Sequence, residues 1–141
     1  MATNAWQAYQ ETEIASADGL ELVELLYRAA VEAVQRARAH VRQGEIAGRS
    51  RQITRASAIL SELAGALDFE RGGELSRNLA ALYAYAQERL VEANTRQIEA
   101  PLAEVELLLS TLLDGWRDCR RLAGSAPPAS GAEYAPLACT F

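Results

Sequence analysis

Between Leu20 and Val41 the apolar residues Leu20, Val23, Tyr27, Ala30, Val34, Ala37 and Val41 recur at alternating steps of three and four. An α-helix gathers such positions on one face, because each residue advances the chain by about 100° around the axis. The spacing predicts a helix over 17–43, roughly 40 Å long. Ser16 or Asp18 stands ready to cap its first orphan amides, and Gly44 to end it in a left-handed conformation that carries no Cβ penalty. The stripe is a bundle seam, and other helices must cover it.

The rest of the chain supplies three. Ile53, Ala56, Leu60, Leu63 and Leu67 form a second seam, widened by Ile59, which ends where 68–73 reads as a turn punctuated by Gly72 and Gly73. Leu75, Leu79, Leu82, Ala86, Leu90 and Ala93 form a third, with Tyr83 and Tyr85 to either side of the stripe and an end near Gln97. Pro101 suits the first turn of a fourth helix, where its missing N–H has no intrahelical partner to lose. That helix has the seam Leu102, Val105, Leu109, Leu112, Trp116 and Cys119, and Leu107, Leu108 and Leu113 widen its apolar surface beyond one seam. It is either central to the bundle or turned in part toward a partner. The expected fold is all-α: a mostly antiparallel four-helix bundle at shallow crossing angles, with a disordered C-terminal tail.

With 141 residues, 50% of them apolar and 23% charged, the chain has the composition of one globular domain. Such a domain buries about two-thirds of its unfolded surface, enough to fold without disulfides or metals. The organisation reads as an N-terminal arm (1–16), the bundle (17–122) and a tail (123–141) that from Gly124 runs Gly-Ser-Ala-Pro-Pro-Ala-Ser-Gly. The arm is polar and acidic, unlike a secretory signal, and Glu104, Glu106 and Asp114 interrupt the most apolar segment. A cytoplasmic protein without membrane insertion is expected, with Cys119 and Cys139 as free thiols. The net charge is −5 and every basic residue is a scattered arginine, which argues against a nucleic-acid partner.

His40 is the sole histidine, so triads, di-iron pairs and zinc sites lack their ligands and bases, and no enzyme or cofactor is expected. One signalling reading survives, a four-helix phosphotransfer module with His40 as acceptor; the plainer reading is a surface imidazole favoured by the helix C-terminus. Asn78 and Asn94 fall beside core positions in a helix, where asparagine is a poor former. Each either fixes register, meets a partner or simply faces solvent.

The chain carries in order Tyr9 ahead of Ala15-Ser16, Leu25-Leu26-Tyr27, Glu62-Leu63 through Leu67-Asp68 to Gly72-Gly73-Glu74-Leu75, Asn78-Leu79, Leu82-Tyr83-Ala84-Tyr85, Arg89-Leu90, Glu92-Ala93-Asn94, Leu112 and Trp116. In their order and spacing these strings resemble the FliS family of flagellar secretion chaperones. Ala17 stands where the family usually has proline, and Ala84 where it has an acidic residue. The tail after Ala123 has no counterpart.

The resemblance implies a cytosolic export chaperone that binds the disordered C-terminal segment of flagellin, prevents premature polymerisation and assists delivery to the flagellar type III export gate. Capture of an amphipathic segment in a bundle groove couples folding to binding. The expected groove involves helices two and three, with Ile59, Leu63, Asn78, Leu79, Tyr83, Tyr85 and Asn94 as candidate contacts. Tyr9 and Ile14 of the arm are expected to cover apolar surface that flagellin later uses. Monomer and homodimer both remain open, as does the phosphotransfer alternative at His40.

Overall fold

A computed structural model describes residues 19–125, with side chains through 122. They form four helices, α1 (Gly19–Gln43), α2 (Ile46–Gly65), α3 (Phe69–Arg96) and α4 (Ala100–Ser125), and no strand occurs among the described residues. The links 44–45, 66–68 and 97–99 are so short that each helix must run back along the one before it. α1 packs on α2 and α4, and α3 packs on the same two, which closes a ring with α1 and α3 on one diagonal. α1 and α4 are antiparallel as well, since Glu24 meets Arg120 near one end and Arg38 meets Glu106 toward the other. The bundle expected from the seams is the one observed.

Local chemistry sets the reversals. Gly44 adopts φ 70°, and Gln97 closes α3 at φ 57°, its amide donating to the Ala93 carbonyl. Residues 68–73 are not the open turn expected from the paired glycines. The Asp68 carboxylate accepts the amides of Glu70 and Arg71 at 3.0 Å each, so a helix starts at Phe69. The glycine signal survives as a kink at Gly73 (φ 52°, ψ −121°), a conformation that L side chains rarely adopt. The buried Ser76 hydroxyl donates to the Asp68 carbonyl at 2.9 Å and ties the two sides of the kink together.

The core differs from the expected seams in register. On α1, Leu22, Leu26, Val31 and Ala33 join Tyr27, Ala30, Val34 and Ala37 inside, while Leu20, Val23 and Val41 are only partly buried. Coverage from two sides by α2 and α4 demands this wider stripe. On α3 the alternation from Leu79 continues through Tyr83, Ala86, Leu90 and Ala93, so Tyr83 holds the place expected for Leu82, and Leu75 is exposed. On α4 Leu113 is buried and Leu112 only partly so. α4 runs on to Ser125, into the segment read as tail. Leu60, Leu90, Leu102 and Leu109 have no solvent exposure at all, and burial of each contributes about 1.5–3 kcal/mol.

Arg38 donates to Glu99 at 2.9 Å and to Glu106 at 2.8 Å, joining α1 to the start of α4. Arg42, and after it Arg38, hold the Glu99 carboxyl below the usual carboxylate range. These are solvent-screened pairs, and they fix orientation more than they stabilise the fold.

Candidate functional site

Each helix of the ring has two flanks, and side-chain contacts identify them for α2 and α3. A Cβ on Gly48 would lie 2.4 Å from the His40 ring, so that flank of α2 faces α1. Gln87 donates to the Ser57 carbonyl at 3.0 Å and to the Ser61 hydroxyl at 2.9 Å, so the opposite flank faces α3. On α3, Tyr85 donates to Glu104 at 2.8 Å and Arg89 reaches the same carboxylate at 2.7 Å, which marks the flank toward α4.

The expected contact residues therefore do not share one groove. Ile59 lies about three turns from Gly48 and falls on the α1 flank of α2. Asn78 precedes Tyr85 by about two turns and shares the α4 flank of α3. Leu63, Leu79 and Tyr83 are 3%, 4% and 2% exposed and belong to the core, so none of them offers a surface to a partner in this conformation. Tyr85, 44% exposed, is the accessible member of the tyrosine pair. Tyr9 and Ile14 lie outside the described residues. Only Asn94 lines the space between α2 and α3.

That space is a cleft of about 380 Å³ lined by Ile53, Thr54, Ser57, Ala58, Ser61, Leu90, Val91, Asn94 and Thr95. Short side chains at 57, 58 and 61 keep its α2 wall low, and Val91, 62% exposed, presents an unpartnered apolar surface from α3. A second, more open concavity along α2, lined by Ser50, Arg51, Thr54, Arg55 and Ala58, shares Thr54 and Ala58 with it. The two make one continuous surface. An amphipathic segment laid there would bury apolar area against Ile53, Leu90 and Val91 while hydroxyl groups along the rim take its polar atoms.

At one end of the cleft, Asn94 Oδ1 accepts from Arg49 Nε at 2.9 Å and from the Ser50 hydroxyl at 3.1 Å. Arg49 is 7% exposed. Composition marks it only as one of the scattered arginines, although Arg49 precedes Ile53 by four and extends the buried alternation 53, 56, 60, 63. Ser57, Val91 and Thr95 carried no comparable mark.

His40 rests against the Gly48 backbone, with Nδ1 2.9 Å from Glu45. The ring packs the reversal between α1 and α2. Among the described residues no group of His, Cys, Asp and Glu is arranged to hold a metal ion, and no helix is long and apolar enough to cross a membrane.

Comparison with known proteins agrees with the residue strings noted above. The family described as flagellar protein FliS matches residues 2–123. The flagellar secretion chaperone FliS of Salmonella typhimurium is 36% identical, over 79% of this chain and 83% of its own length. FliSB of Pseudomonas aeruginosa is 38% identical over 82% and 94%, and FliS of Bacillus subtilis 30% identical over 81% and 84%.

Proposed function

This chain belongs to the FliS family of flagellar secretion chaperones, and from that premise we propose that it captures the C-terminal segment of flagellin in the cytoplasm. It holds that segment out of premature polymerisation and carries it to the flagellar export gate. The match over residues 2–123 carries the reading. The α2/α3 cleft supports it, being an open, partly apolar channel on an otherwise well-packed bundle.

The chemistry required is modest. A segment unfolded as a free monomer pays an ordering cost on capture, and burial of its apolar face offsets that cost. Nothing needs to be made or broken, so a binding surface suffices and no catalytic group is assigned. Ile59, Asn78 and Tyr85 stand on other edges from Asn94. One segment touches all of them only by passing around the bundle. In this reading the arm with Tyr9 and Ile14 covers part of the same surface until flagellin replaces it, and limited proteolysis before residue 16 should quicken on binding.

Calorimetric titration of the cognate flagellin C-terminal peptide into the full chain tests the proposal. Saturable 1:1 binding with a negative heat-capacity change is expected. Absence of binding, together with unaltered flagellin polymerisation in the presence of the chain, overturns it.

A further inference from the structure

We propose that the α2/α3 cleft selects a segment carrying a carboxylate, which Asn94 receives on its amide nitrogen with the Arg49 charge behind it. The inference rests on the flagellin reading above and specifies how that segment is recognised.

Arg49 is an arginine with nine-tenths of its surface buried, and no carboxylate of the described residues lies within ion-pair distance of it. Removal of a cation from water without a counter-charge is unfavourable, and native structures retain such a group where something answers it. Among the described residues the answer is a neutral acceptor, Asn94 Oδ1, bonded to Nε. A guanidinium has five N–H donors, and Arg49 acts on the cleft through its charge and through the one bond to Asn94, since its own side chain does not line the cleft.

The same bond orients Asn94. Its Oδ1 is taken by two donors, Arg49 and Ser50, so the group it has left to offer the cleft is the Nδ2 amide, a pure donor. A cation bonded to Oδ1 draws electron density from the amide and strengthens its N–H bonds as donors. The end of the cleft therefore seeks an oxygen, and an anionic one most strongly.

The surroundings carry the same sign. Residues 46–61 include Arg49, Arg51 and Arg55 and no aspartate or glutamate, in a chain of net charge −5. Arg51 and Arg55 line the concavity continuous with the cleft, and neither has an acidic partner among the described residues. A protein acidic as a whole thus presents on α2 a basic strip without ion pairs among the described residues, beside its exposed apolar Val91. Charge complementarity fits an acidic amphipathic peptide, and like charge repels a basic one.

An aspartate or glutamate side chain or the chain terminus supplies the carboxylate, and the test separates the two. The full chain is titrated with the cognate flagellin C-terminal peptide, with the same peptide amidated at its terminus, and with one whose acidic residues are changed to their amides. One of the two neutralised peptides should bind at least tenfold more weakly. Asn94→Asp keeps the acceptor for Arg49 and Ser50 while removing the donor and neutralising the guanidinium, so its melting temperature should hold. It should bind the native peptide at least tenfold more weakly and lose the discrimination between native and neutralised peptides. Arg51→Gln/Arg55→Gln should slow association and flatten its salt dependence without lowering stability. Equal binding of all three peptides by the wild-type chain, or unchanged affinity in Asn94→Asp, overturns the inference and leaves the flagellin reading standing. No binding of any peptide overturns that reading instead.

Discussion

The hydroxyl of Tyr27 on α1 and the hydroxyl of Tyr83 on α3 meet across the diagonal of the bundle, inside a core that apart from Trp116 is otherwise built of alanine, leucine, valine and isoleucine. Trp116 completes the group from α4, its ring centroid 6.2 Å from that of Tyr27. Three helices are thereby joined at one buried polar contact, which specifies their relative rotation more narrowly than aliphatic packing alone can.

Tyr27 stands between Tyr83 and Trp116, both of which hydrogen-bond to it. Tyr27→Phe leaves two buried polar groups short of a partner, and Tyr83→Phe leaves Tyr27 with its tryptophan. Denaturant unfolding should show a loss of about 2–3 kcal/mol for the first and about 1 kcal/mol for the second. The double variant should cost less than the sum. Tyr83→Ala should lose about 3–5 kcal/mol of stability, which makes it a poor probe of binding and Tyr85→Ala the better one.

Burial drives both tyrosine pKa values above the ordinary value of 10.0. In the unfolded chain these phenols ionise near pH 10, while in the folded chain they stay protonated. The stability they confer is therefore complete below about pH 10 and is lost as pH rises beyond it. With both groups contributing, the slope approaches about 2.7 kcal/mol per pH unit. Thermal melts between pH 8 and 11.5 should fall steeply only above about pH 10, and the fall should shrink in Tyr27→Phe/Tyr83→Phe.

Asp68 and Gly73 hold the α2/α3 reversal by different means. Asp68→Ala removes an acceptor for two amides and should cost about 1 kcal/mol. Gly73→Ala forces a side chain into φ 52° and ψ −121° and should cost about 1–3 kcal/mol, whereas Gly72→Ala carries no such conformational requirement. Chemical denaturation of the three variants checks the order.

Gly48→Ala places a methyl group into the His40 ring, which is partly exposed and can swing outward. The gain in helix propensity, about 0.8–1 kcal/mol, should nearly offset the lost contact, giving a net change within about 1 kcal/mol. In a His40→Ala background the same substitution should be stabilising by about 1 kcal/mol. A destabilisation in both backgrounds would show that the backbone of α1, and not the ring, approaches Gly48.

Gln52 Oε1 is buried without a hydrogen-bond partner among the described residues. Gln52→Met keeps the length of the side chain and removes the unsatisfied group, so a gain of about 1 kcal/mol in unfolding free energy is expected. Equal or lower stability would mean that the amide finds a water or partner in solution.

Periodicity alone determined the class of fold, the number of helices and their approximate ends. A spacing of three and four is compatible with helix and little else, and Gly44, Gln97 and Pro101 mark positions where helical hydrogen bonding stops or starts. It did not separate Leu82 from Tyr83 or Leu112 from Leu113. Neighbours in sequence differ by about 100° around the axis, and either lies within a stripe wide enough to face two helices. Nor did it assign flanks: Ile59, Asn94 and Tyr85 each border a seam, but the order of helices around the ring puts them on three different edges. The pairing of Arg49 with Asn94 was closed to the sequence for the same reason. Only the tertiary packing of α2 on α3 brings residues so distant in the chain within 2.9 Å, and only burial turns that arginine from a solvated charge into one that needs an answer.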